Sequence, residues 1–149
     1  MKQAWSIGRI SGIPIRVHWS FFLILLWSGY TGYTAGGGSY IPISIALTLL
    51  TFLCVLLHEL GHAVTAQVFG VRTRSIMLLP IGGVALLERV PEPPGREFLV
   101  AVAGPAVNVV ILGLLYGVFG WPDASVWWKE FGVVNHVAGM LMYMNVAMI

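Results

Sequence analysis

The chain has 149 residues, one domain's length, yet 58% of it is hydrophobic, only 9% is charged and its mean hydropathy is +0.86, which excludes an ordinary soluble domain and points to lipid. Eight Lys and Arg against six Asp and Glu leave a net charge of +2, and the basic residues are scattered, so nucleic acid is excluded as a partner. The single cysteine, Cys54, excludes an intrachain disulfide and leaves packing as the source of stability.

In chain order, "WSIGRISGIPIRVHW" sets Ile and Val between Gly and Pro punctuation and predicts strands or a hairpin. Lys2 ahead of "FFLILLW" has the outline of a secretory leader. Arg9 and Arg16 lengthen the polar lead, however, and no small-residue cleavage site follows, so the segment is expected to be retained. Apolar segments at 18–33, 41–69 and 98–119 are each near the roughly 20 residues that cross a hydrocarbon core. Between the second and third, "RSIMLLPIGGVALLE" divides two short apolar runs at Pro80 and Gly82-Gly83 and predicts a second pair of strands. A fourth apolar segment begins near residue 131 and runs to Ile149 with no closing polar flank, so it is expected to be incomplete.

The charges order these spans. Lys2, Arg9 and Arg16 precede the first, Arg72, Arg74, Arg89 and Arg96 lie between the second and third, and "YTGYTAGGGSY" carries none. The positive-inside rule puts the N-terminus in the cytoplasm, with the second helix running inward and the third outward. Trp121, Trp127 and Trp128 then mark the far interface. The expected fold is an α-helical membrane protein with about four transmembrane helices, the last incomplete, and a small membrane-associated β element. The strands need a partner or a cover, because unsatisfied backbone groups in lipid cost several kcal/mol each.

The chemistry concentrates in "LLHELGHA" within the second span. His58 and His62 are four residues apart on a predicted helix, which puts both imidazoles on one face, about 5–6 Å apart at Cβ and able to share one metal. Glu59 lies around the helix, able to reach a water on that metal without ligating it; this is the zinc hydrolase logic of H-E-x-x-H. Gly61 costs roughly 1 kcal/mol of helix propensity and leaves room for close approach. The alternative is that these polar groups are hydrogen-bond partners between helices. A charge at the centre of a membrane helix costs about 2.5–3.5 kcal/mol, which favours the functional reading.

Depth along the helices sorts the remaining candidates. His58 lies roughly 17 Å from the cytoplasmic end of its helix, and Asn108 lies a similar distance into the next, so Asn108 can face the metal level. Two roles fit it there: packing between helices, or holding a substrate carbonyl or a developing oxyanion. Cys54 is one turn before His58 and reads as a ligand or, in preference, as apolar packing. His136 is expected at the far interface, more than about 10 Å above His58, and His18 reads as an interfacial anchor beside Trp19. Asn145, further in, is expected to pack rather than to line the site.

"LLHELGHA", "PIGGVALLE" and "EFLVAVAGPAVNVVI" together resemble the site-2 protease family of intramembrane zinc metalloproteases. The opening "SIGRISGIPIRVHWSFFLILLW" resembles members without an inserted PDZ domain, so the resemblance covers nearly the whole chain. It implies a single transmembrane metalloprotease core over residues 1–149, in a prokaryotic cell membrane. It further implies hydrolysis of transmembrane protein substrates within the lipid bilayer, with Zn2+ as cofactor, His58 and His62 as metal ligands and Glu59 as catalytic base. The "GPAVN" match supports Asn108 as the substrate or oxyanion residue. The family's third ligand is an aspartate in a later Asn-Pro-Asp-Gly type motif, expected beyond Ile149. Asp123, in the far-side loop, is not expected to replace it. The alternative is a truncated or inactive relative that binds membrane partners without cutting them, and a weaker one is a transport-type protein with a polar pathway. Strand addition at "RSIMLLP" or "GVALLE" is expected to hold an unwound substrate segment.

Overall fold

The computed structural model describes residues 4–89, 92–120 and 133–149, the last segment with side chains from Ala138 onward. Trp121, Asp123, Trp127, Trp128 and the side chain of His136 lie outside the described residues. In chain order the elements are β1 (Ala4–Ile10), β2 (Ile13–His18), α1 (Phe21–Gly36), α2 (Tyr40–Val68), β3 (Thr73–Leu79), β4 (Gly82–Leu87), α3 (Pro94–Phe119) and α4 (Val133–Ala147).

Both expected β segments form strand pairs, and they join into one mixed sheet in the order β1-β2-β3-β4. The β1–β2 hairpin turns on Ser11 and Gly12, whose φ angles of 51° and 78° are both left-handed, as a two-residue primed turn requires. β3 and β4 pair antiparallel with Leu79 opposite Gly82 across Pro80 and Ile81. β2 and β3 are parallel, Ile15 opposite Ile76, and α1 with α2 makes the crossover between them. β3 is therefore an inner strand, which corrects the expectation that "RSIMLLP" offers an open edge; among the described residues the free edges belong to β1 and β4.

Strict alternation along β2 turns Ile13, Ile15 and Val17 to one face, where they join Ile76 and Leu78 of β3. That face packs on Phe52, Leu56, Leu60 and Ala63, a stripe of α2 at near four-residue spacing, with Phe21 of α1 closing one end. Phe21 and Phe52 meet edge to face, their ring centroids 4.7 Å apart. The opposite side of α2 carries Cys54, His58, His62 and Ala66 toward α3 and α4.

Small residues let the helices approach. A Cβ on Gly32 of α1 would strike the Ser44 hydroxyl of α2, and nearby the Thr48 hydroxyl donates to Ser28 Oγ at 2.7 Å. A Cβ on Gly61 would lie 2.7 Å from the Ala103 carbonyl oxygen, so α2 and α3 cross there backbone to backbone.

Among the described residues, α2 and α3 are long and apolar enough to cross a membrane, and only 17% of the most apolar window of each is buried within the chain. A core helix of a soluble protein would bury most of that window, whereas these turn it outward. α1 has 16 residues and starts at Phe21, not at the expected residue 18, because His18 closes β2. His18 Nδ1 then pairs with Ser20 Oγ at 2.7 Å in the short turn that leads into the helix.

A two-histidine centre between the second and third long helices

The crossing of α2 and α3 brings three turns of each helix face to face. On α2 these carry His58 and His62. On α3 the buried positions are Val100, Gly104 and Asn108, four residues apart along one face.

His62 Nδ1 lies 2.7 Å from the Val100 carbonyl oxygen, and an oxygen can only accept, so Nδ1 carries the proton and Nε2 is left with its lone pair. His58 Nδ1 lies 3.1 Å from Asn108 Nδ2. The two Nε2 atoms face each other at 3.1 Å. Two nitrogens on one tetrahedral zinc, each about 2.0–2.1 Å from it, stand about 3.3 Å apart, so this spacing suits a shared cation. Gly104 lies under the pair: a Cβ there would collide with His62 Nε2 and come within 2.7 Å of His58 Nε2. The missing side chain keeps that space free. Both imidazoles are half-buried, able to hold a metal while one side stays accessible.

Glu59 points away from α3, toward the sheet. Its Oε2 accepts the Ala85 backbone N–H at 3.1 Å, which fixes the carboxylate beside the free edge of β4 and leaves Oε1 available. Gly83 makes this fit possible, since a Cβ there would sit 2.7 Å from Glu59 Cγ.

The structure thus brings His58, Glu59, His62 and Asn108 into one neighbourhood. Asn108 is fully buried, in contact with His58, and its Oδ1 has no hydrogen-bond partner among the described residues. Cys54 is buried one turn along α2, with Asn145 Nδ2 3.5 Å from its Sγ. Asn145 also donates to the Leu141 carbonyl at 2.8 Å, a packing arrangement of α4 on α2. Among the described residues no group of three His, Cys, Asp or Glu converges, so the histidine pair has no third side-chain donor there.

Three contributors carried no residue-type signal: the Val100 carbonyl, the Ala85 amide and the absent side chain of Gly104. The first two are backbone groups, which any residue supplies. The third was visible only as the four-residue spacing of small and polar positions in "VAVAGPAVN".

Comparison with known proteins places this arrangement. Residues 46–145, which include both histidines, Glu59 and Asn108, match the model of peptidase family M50. A zinc metalloprotease of Methanocaldococcus jannaschii is 40% identical over 114 residues, 74% of this chain and 31% of that protein. Stage IV sporulation protein FB of Bacillus subtilis is 44% identical over 62 residues, 41% of this chain and 22% of that protein. The chain therefore spans about a third or less of these relatives. The solved site-2 protease from Methanocaldococcus jannaschii superposes with a TM-score of 0.67 at 28% identity, over 97% of this chain and 63% of that one. The fold thus has its counterpart in a known architecture, and the chain belongs to peptidase family M50.

Proposed function

We propose that this chain is the core of an intramembrane zinc metalloprotease that hydrolyses peptide bonds of transmembrane proteins, with His58 and His62 as metal ligands and Glu59 as base. The observation that carries the reading is the convergence of two Nε2 atoms at 3.1 Å above a side-chain-free position, beside a carboxylate, on a helix that turns its apolar surface outward.

Zinc held by His58 and His62 would supply Lewis acidity, lowering the pKa of water toward neutrality and polarising a carbonyl. The chain's own residues do the rest. Val100 and the α2–α3 crossing hold His62 in the tautomer that offers Nε2. Glu59, anchored through Oε2 by Ala85, has Oε1 free to take a proton from water and to deliver it to the departing amine.

A helical substrate keeps its carbonyls in its own hydrogen bonds, so it must be unwound before attack. The free edge of β4 runs past Glu59 and offers backbone pairing to an extended segment. The proposed topology has four crossings and a cytoplasmic N-terminus, which sets Arg72, Arg74, Arg89 and Arg96 on the cytoplasmic side. Arg96 lies 5.6 Å over the Phe69 ring, joining the end of α2 to the start of α3 at that interface.

Glu59→Gln tests the reading: cleavage of a transmembrane substrate is expected to vanish while zinc stays bound. A second reading, a membrane-binding relative without proteolysis, is favoured by the count of two side-chain donors among the described residues. That reading requires partner binding to survive Glu59→Gln and no cleavage by the unaltered protein.

A further inference from the structure

The zinc reading leaves Asn108 without a settled task, and the hydrogen bonds around His58 supply one. In the arrangement seen, Asn108 Nδ2 faces His58 Nδ1 at 3.1 Å. With the amide in this orientation Nδ2 donates, which requires a bare Nδ1 and puts the His58 proton on Nε2. From there it can be given to His62 Nε2, 3.1 Å away, while His62 Nδ1–H is given to the Val100 carbonyl. The result is a continuous chain of donors and acceptors from Asn108 to Val100. It leaves one group over, Asn108 Oδ1, buried and without a partner among the described residues.

A cation between the two Nε2 atoms cannot coexist with that chain, because His58 Nε2 must give up its proton to become a ligand. Neutral His58 then carries its proton on Nδ1, where the neighbour must accept. A half-turn of the Asn108 amide about its Cβ–Cγ bond exchanges Oδ1 for Nδ2 and presents the orphaned oxygen to the new donor. Few side chains can do both. A carboxylate only accepts, a lysine only donates, and leucine does neither.

We propose that Asn108 is a two-way positioning residue for His58: it donates to Nδ1 when no metal is bound and accepts from Nδ1–H when zinc is bound, so that His58 Nδ1 keeps a hydrogen-bond partner in either tautomer. This inference rests on the zinc reading of the histidine pair. It assigns Asn108 to the ligand rather than to the substrate, and it makes α3 a three-turn template, with Val100 holding one histidine, Gly104 leaving the metal its space and Asn108 holding the other.

The test compares the unaltered chain with Asn108→Leu and Asn108→Asp in detergent, reading zinc affinity by chelator competition and the histidine tautomers by 15N NMR. Leu matches Asn in size and keeps the cavity filled, yet is expected to weaken zinc roughly 10- to 100-fold, the usual loss when a partner behind a ligand is removed. Asp keeps an acceptor and is expected to retain the affinity. In the spectra, His58 of the unaltered chain carries its proton on Nε2 without zinc and on Nδ1 with it. Asn108→Asp is expected to fix it on Nδ1 in both conditions. Zinc affinity untouched by Asn108→Leu overturns the proposal, and if cleavage is lost at the same time Asn108 acts on the substrate. If the unaltered chain binds no zinc, the zinc reading fails. The metal-free spectra still decide whether Asn108 holds His58: a His58 Nδ1 resonance unmoved by Asn108→Leu overturns the contact.

Discussion

At the scale of single residues, the most informative position is one with no side chain. A methyl group on Gly104 would occupy the space into which both Nε2 atoms point. Gly104→Ala is therefore expected to abolish zinc binding, whereas Gly113→Ala on the same helix, where a Cβ meets nothing within 4 Å, is expected to leave it intact. Zinc content of the two purified variants checks this; equal content would remove Gly104 from the site. In the sequence Gly104 could be read only as helix packing, since a glycine declares the absence of a group and not what fills the gap. The histidines were legible for the opposite reason: imidazoles four residues apart have few uses on an apolar helix face. Asn108 was reached by counting rise along two helices, which gave its depth but not the atom it would face. That atom, His58 Nδ1, depends on how closely α2 and α3 approach, and the approach is set by Gly61 against the Ala103 backbone.

At the scale of elements, α2 is the hub: one stripe packs the sheet, the opposite one carries the histidines, and Glu59 between them reaches β4. The contact between Glu59 and Ala85 is a backbone contact, so replacing the side chain of Ala85 would test nothing. Ala85→Pro removes the N–H and is expected to lower cleavage by an order of magnitude or more while zinc remains bound, in line with a displaced proton acceptor. Unchanged cleavage would separate Glu59 from the strand. The packing of the sheet on α2 has its own test. Ile76 is fully buried there, and Ile76→Ala is expected to cost about 2–5 kcal/mol, read as a lowered midpoint of unfolding in detergent. Both strand pairs were legible from Gly and Pro punctuation and short apolar runs. Their union into one sheet was not, because the parallel pairing of Ile15 with Ile76 joins segments some sixty residues apart and leaves no local pattern. The extent of the first helix was misjudged for a related reason, since apolar character alone cannot separate the end of β2 from the start of α1.

At the scale of the whole molecule, two helices turn their apolar surfaces outward, and a small sheet lies against one of them at the level of the histidines. The proposed topology makes a definite prediction: reporters fused after Gly38 are expected on the far side of the membrane and reporters fused after Arg72 on the cytoplasmic side. The reverse result would invert the depth argument and detach the arginines from the cytoplasmic face. Family membership and fold agree with a metalloprotease core, and the central claim beneath them is chemical: two imidazoles whose Nε2 atoms converge to hold zinc. The direct measurement is zinc content per chain in detergent-purified protein, with His58→Ala and His62→Ala prepared alongside. About one zinc in the unaltered chain, lost in both variants, is the expected result for a single shared ion. No zinc in the unaltered chain, or zinc retained in either variant, would contradict it.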